Sequence, residues 1–235
     1  MKRYLGIFFI ATTFLFACKN NDKKEADAQE GELAEADTSA LEKVDTVFSN
    51  ETINFLNNSD FSQFAKSKAA QFDWSKFHMV QNWVDDSMTT TAFKPESGYY
   101  EAYGRFLKYS PDSTMFVDID SYNIDIVKDK QGRWIGTSQG PDTEISLIIP
   151  SKKEKKRLLF AGPGTFIEEA SWIDKDNIAL MGLQEAEGGS QRTAVVWRYH
   201  LPSSTYFQYE LPNPAAASQL MKQWRRERLK GVVMQ

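Results

Sequence analysis

The chain has 235 residues, a formal net charge of −4, one cysteine and two histidines. One cysteine excludes an internal disulfide, a redox pair and a Cys-rich zinc site, and His78 and His200 alone disfavour a multi-histidine metal centre, so no cofactor is expected. An acidic chain lacks the basic surface that counterion release from nucleic acid needs, so no nucleic-acid partner is expected either.

Residues 1–17 divide into Lys2 and Arg3, an uncharged apolar run from Tyr4 to Phe16, and the small Ala17 before Cys18. The run is shorter than the roughly 20 residues a spanning helix needs, and its layout is that of a secretory signal. Leu15-Phe16-Ala17-Cys18 resembles the lipobox of bacterial lipoproteins, with Phe16 where a small residue is commoner. The resemblance implies cleavage between Ala17 and Cys18, a lipid on the Cys18 thiol, and anchoring to a bilayer. Lys19, and no Asp, follows the cysteine, which leans towards the outer membrane of a Gram-negative bacterium, the head facing the periplasm or the surface.

Residues 18–46 read as a tether. Residues 19–46 hold nine acidic and four basic side chains and no aromatic ring, too little apolar surface to offset chain entropy. Such a segment is an extended, charged spacer, with a weak solvated helix over 25–42 as the alternative.

Residues 47–107 are expected to form a helical, aromatic cover. Ser59 can cap a helix whose mainly apolar face is Phe61, Phe64, Ala65, Lys68, Ala69 and Phe72. Residues 74–84 fit a helix or a strand. Thr89 to Pro95 reads as an extended piece ending in a turn, because Pro95 biases Lys94 away from helix. Tyr99, Tyr100, Tyr103, Phe106 and Leu107 then suggest a short aromatic helix, which could plug a core or present tyrosines to a sugar or peptide.

From Tyr109 the pattern alternates. Ser110-Pro111-Asp112-Ser113 is a turn and Met115–Asp120 a strand. Further strands are expected at 123–127, 134–138, 144–149 and 156–160. Trp172-Ile173-Asp174-Lys175-Asp176-Asn177 then repeats the turn before a strand at 178–183, and 194–200 and 206–211 form a later hairpin that mirrors 144–160 through Pro150 and Pro202. Tyr109-Ser110-Pro111-Asp112 is similar to the blade turn of TolB-like β-propellers, with Ser113 where those repeats usually have Gly. That resemblance implies two blade-like, four-stranded antiparallel units, 105–160 and 165–212. Two blades cannot close a propeller, so an incomplete propeller or a face-to-face sandwich is expected, covered on one side by 49–107. The fold class is thus mainly β with flanking helices. Residues 213–235 read as a C-terminal helix whose last turns carry Lys222, Arg225, Arg226, Arg228 and Lys230, a solvated basic end that suits the helix dipole or an acidic or membrane surface.

Few residues suggest chemistry. Asp118 and Asp120 would share a strand face near Asp125, a cluster open to Ca²⁺ or acid–base hydrolysis but without the calcium-loop glycine and distal glutamate. Asp85-Asp86 and Glu168-Glu169 carry less. Gly162-Pro163-Gly164-Thr165 lacks a phosphate-loop lysine, and no Gly-x-Ser-x-Gly elbow occurs. Asp118, Asp120, Tyr99 and Tyr103 are therefore the candidate ligand-binding residues, Cys18 the lipidation site, and no catalytic residue is assigned. The expected function is a membrane-anchored, non-enzymatic binding or accessory lipoprotein working with another envelope protein. A carboxylate-dependent hydrolase, a carbohydrate-active protein and a small-ligand-binding lipoprotein are the alternatives.

Overall fold

Ser49 and Ser59 each start a helix by accepting a backbone N–H with the side chain, from Thr52 and Ser62, both at 3.2 Å. Helices α1 (Asn50–Asn57) and α2 (Asp60–Lys68) follow. The structure, a computed structural model, describes residues 47–70, 72–86, 89–185, 192–211 and 214–235, with backbone alone for 214–218. They belong to one compact unit, Lys43–Gln235. The signal segment, Cys18 and the tether lie outside the described residues.

The predicted helix starts at Ser59 but stops at Lys68, so Phe72 reaches the core from beyond it. Its ring stands edge-on to Phe61 and Trp74, with centroids 5.7 and 4.9 Å away. The buried Ser62 hydroxyl ties these pieces together by donating to the Leu56 carbonyl and accepting from Trp74 Nε1 at 2.7 Å. Residues 74–84 resolve into a 3₁₀ turn (Trp74–Lys76) and strand β1 (His78–Val84).

The remaining elements are β2 (Thr90–Ala92), α3 (Tyr99–Tyr103), β3 (Lys108–Tyr109), β4 (Phe116–Asp118), β5 (Ile124–Lys128), β6 (Trp134–Ser138), β7 (Thr143–Ile149) and β8 (Glu154–Ala161). Then come β9 (Thr165–Trp172), β10 (Asn177–Glu185), β11 (Arg192–His200), β12 (Thr205–Glu210), α4 (Pro214–Arg228) and β13 (Val232–Met234). They form three open sheets, ordered β1-β12-β11-β10-β9, β2-β8-β7-β4-β3 and β13-β6-β5. All pairs are antiparallel except β13 with β6.

The two large sheets have five strands each, not the four expected. Segments assigned to the cover supply the extra edges: β1 pairs with β12, and β2 with β8. Residues between β4 and β7 leave their sheet as the β5–β6 hairpin, which β13 extends. The two hairpin turns do correspond. Each spans four residues, closed by Ile149–Glu154 and by His200–Thr205, and each ends in a left-handed residue, Lys153 (φ 55°) and Ser204 (φ 50°). This match is one residue out of step with an alignment on Pro150 and Pro202. Ser113 is left-handed too, at φ 59°, which accounts for the glycine preferred there in similar turns.

One core lies between the large sheets, joining Val117, Ile145, Leu147 and Leu158 to Trp172, Leu180, Trp197 and Tyr206. Trp172 Nε1 and the Tyr206 hydroxyl cross it to the Lys108 and Leu158 carbonyls. A second core packs α1, α2 and α4 on the outer face of the β9–β12 sheet, where Phe61, Trp74 and Phe77 have no exposed surface. Full burial of a phenylalanine contributes about 2 kcal/mol. A third core packs α3, Phe106 and the β5–β6 hairpin on the outer face of the other sheet. Residues 49–107 therefore cover both outer faces rather than one.

Candidate functional site

Gly98, at φ 87°, turns the chain into α3, which no bulky residue could do there without strain. Tyr99 and Tyr103 then project from one helix face, four residues apart. The Tyr99 ring stands edge-on to Phe93 with centroids 5.6 Å apart, and its hydroxyl donates to Asp118 Oδ2 at 2.5 Å. Burial raises the Tyr99 pKa well above the ordinary tyrosine range and the Asp118 charge adds to it, so the hydroxyl stays a proton donor. Tyr103 donates to the Ile124 carbonyl at 2.8 Å and accepts from the Ile126 N–H at 3.1 Å, taking the place of a strand neighbour for β5.

These side chains line an open cavity of about 890 Å³ between the segment 92–103, the turn after β4, and the β5–β6 hairpin. Asp118 sits in its floor. Its Oδ1 accepts the N–H groups of Asp120 and Ser121, both at 3.0 Å, and its Oδ2 accepts the hydroxyls of Tyr99 and Ser121. Four donors fill the carboxylate. The exposed lining is mixed: Asp125, Tyr122 and Lys128, the last paired with Glu101 and lying 4.7 Å from the Trp134 ring centroid.

Asp120 does not share this site, contrary to the expectation from strand alternation. β4 ends at Asp118 because that carboxylate caps the following turn, so alternation stops there. Asp120 points the other way, is 2% exposed, and holds the Arg228 guanidinium in a two-pronged ion pair, with Nη2 to Oδ1 at 2.9 Å. Asp118 and Asp125 line one cavity and Asp120 another. Among the described residues no group of three or more His, Cys, Asp or Glu is placed to hold a metal ion.

The adjacent pair Glu168 and Glu169 matters more than the sequence suggested. On a regular strand neighbours point to opposite faces. Here Met181 faces Glu169 and Gly182 faces Ile167, which leaves Glu168 as the extra residue of a β-bulge. Both glutamates are buried, and both meet α4. Glu169 accepts from Trp224 Nε1 at 3.0 Å and pairs with Lys108 at 2.7 Å, while Glu168 Oε1 lies 3.5 Å from Arg225. Burial pushes the Glu168 carboxyl up to about 7, despite Arg225 and Arg228 nearby, and its Oε2 has no hydrogen-bond partner among the described residues. Burial alone would lower the Arg228 pKa, but Asp120, Glu169 and Glu168 raise it overall, so its charge is retained. The basic tail is therefore split: Arg225 and Arg228 turn inward, while Lys222, Arg226 and Lys230 stay exposed. The sequence signal for this bulge was Gly182 inside a strand pattern. A Cβ on it would come within 1.9 Å of the Phe166 carbonyl oxygen.

His78 is exposed at the start of β1. His200 Nδ1 lies 2.7 Å from Ser203 Oγ on an exposed turn, and that hydroxyl meets Thr205 Oγ1, also at 2.7 Å. Gly162–Gly164 joins β8 to β9, the connecting role expected of it. No helix among the described residues is long and apolar enough to cross a membrane. Comparison with protein families, curated proteins and solved structures found no match.

Proposed function

We propose that this chain is a lipid-anchored envelope protein whose folded head recognises a partner without transforming it. Cys18 carries the lipid, the acidic segment to residue 46 is the spacer, and the membrane is the outer membrane of a Gram-negative cell. The two large sheets are read as blade-like units, because β9 to β12 neighbour one another in chain order and β3, β4, β7 and β8 do so apart from the inserted hairpin.

The observation that carries the binding reading is the cavity beside α3. It is wide enough for a small polar ligand or a peptide loop, within the usual range of about 300–1,000 Å³. Its floor carboxylate is already committed to four donors, which suits a preorganised surface better than proton transfer. Its lining offers aromatic faces within a polar border, and interfaces are enriched in aromatic residues and rimmed by polar groups. The hydrolase alternative loses its best pair, since Asp118 and Asp120 diverge.

The test is photo-crosslinking in intact cells from a reactive residue placed at Asp125, with Lys175 on the far β9–β10 turn as control. A specific envelope protein or ligand captured from Asp125 and not from Lys175 supports the reading. Capture from both sites alike, or turnover of a captured ligand by the purified protein, would contradict it.

A further inference from the structure

A second cleft, of about 540 Å³, opens between α4, the Phe166 end of the β9–β12 sheet and β13. Lys222, Arg225 and Arg226 on α4, and Leu229 and Lys230 in the turn that follows it, recur at i, i+3, i+4, i+7 and i+8, and all five line it. Arg192 faces them from β11, with its guanidinium 4.4 Å from the Phe166 ring centroid. Among the described residues, five cations thus surround a lining whose single carboxylate is Glu168. The opposite wall is apolar, built from Leu183, Val232 and Met234.

The ordinary explanation of such cations is the helix dipole, but that amounts to about half an elementary charge. Arg225 is partly neutralised by Glu168, and Lys230 has a loose exposed pair with Glu227 at 3.7 Å. Lys222 and Arg226 form no ion pair among the described residues. Glu168 opposes an incoming anion with only part of a charge at neutral pH, because burial raises its carboxyl to about 7. Beside the cationic rim, Met234 is 41% exposed and Val232 is half-buried. Exposed apolar side chains next to unpaired lysine and arginine make the composition of a surface that meets anionic lipid.

We propose that this cleft binds the phosphodiester head group and first chain carbons of an anionic phospholipid, with Lys222, Arg226 and Arg192 on the phosphate and Met234, Val232 and Leu183 along the chain. This does not depend on lipidation at Cys18 or on the cavity beside α3.

The test uses the mature chain, residues 18–235, carrying Cys18→Ser, so that neither a lipid nor the apolar run of residues 4–16 contributes. The protein is titrated with dihexanoylphosphatidylglycerol below its micelle concentration, and separately with dihexanoylphosphatidylcholine and inorganic phosphate. It is also floated with phosphatidylcholine vesicles with and without phosphatidylglycerol. The expected result is binding of the anionic lipid in both formats, weakened about tenfold by Lys222→Glu and by Arg226→Glu. Met234→Ser should weaken it as well, and Lys175→Glu should not. Arg225 is left intact because it pairs with a buried glutamate. Equal binding of inorganic phosphate with no effect of Met234→Ser would overturn the proposal, as would binding of the short-chain lipid without flotation. No binding, or equal loss in Lys175→Glu, would overturn it too.

Discussion

Replacing Glu168 by glutamine should change how the fold's stability depends on pH. Glu168 is 4% exposed on the bulge under α4, and burial holds its pKa at about 7 against an ordinary 4.5. The folded chain therefore holds this proton more tightly than the unfolded chain does. Below about pH 4.5 the carboxyl is protonated in both states and its contribution is fully present. As pH rises through about 7 the unfolded chain has already released the proton, and the folded state must bury a charge, so stability falls. At roughly 1.4 kcal/mol per pH unit the gap amounts to about 3 kcal/mol. Arg225, Arg228 and Asp120 are the charged groups facing Glu168, and they remain in the variant. Glutamine does not titrate, so the stability of the wild type minus that of Glu168→Gln should fall by about 3 kcal/mol between roughly pH 4 and pH 8. Urea unfolding midpoints across that range measure it. A difference that stays flat, or rises with pH, would refute the buried, under-satisfied carboxylate.

Two further substitutions probe the same region. Asp120→Asn removes the charge that the buried Arg228 guanidinium faces and should cost about 2–4 kcal/mol, with Glu168 and Glu169 limiting the loss; adding Arg228→Met should recover most of it in a double-mutant cycle, read by urea unfolding. Gly182→Ala places a Cβ against the Phe166 carbonyl across the bulge and should cost about 1–3 kcal/mol in the same assay, whereas Gly140→Ala, with open space around it, should be nearly silent.

Much of the β structure was legible because alternation survives wherever one sheet face is buried, as at Ile178, Leu180, Trp197 and Tyr199. Capping was legible as well, since Ser59 has a local job that needs only its own helix. What escaped was set by distant partners. Thr90–Ala92 falls in a piece expected to be extended, but its place as the edge strand beside β8 was not foreseen. Val232–Met234 joins β6 in parallel through chain return after α4, which periodicity cannot reveal. The Asp118–Asp120 pair was misread because a side chain that ends a strand also ends the rule that places its neighbours. Glu168 and Glu169 were given little weight because nothing local announces a bulge except Gly182. The candidate site was legible in part: Tyr99, Tyr103, Asp118 and Asp125 do line one cavity, while Trp134 joins them only through the folding back of the hairpin.

The central claim, a binding head tethered by lipid, is tested most directly at Cys18. Intact mass and N-terminal fragment spectra of the protein purified from membranes should show a chain beginning at Cys18 with a diacylglycerol thioether, and Cys18→Ser should abolish the modification. A membrane-bound protein that retains Met1, or a mature chain with an unmodified Cys18 thiol, would contradict the account.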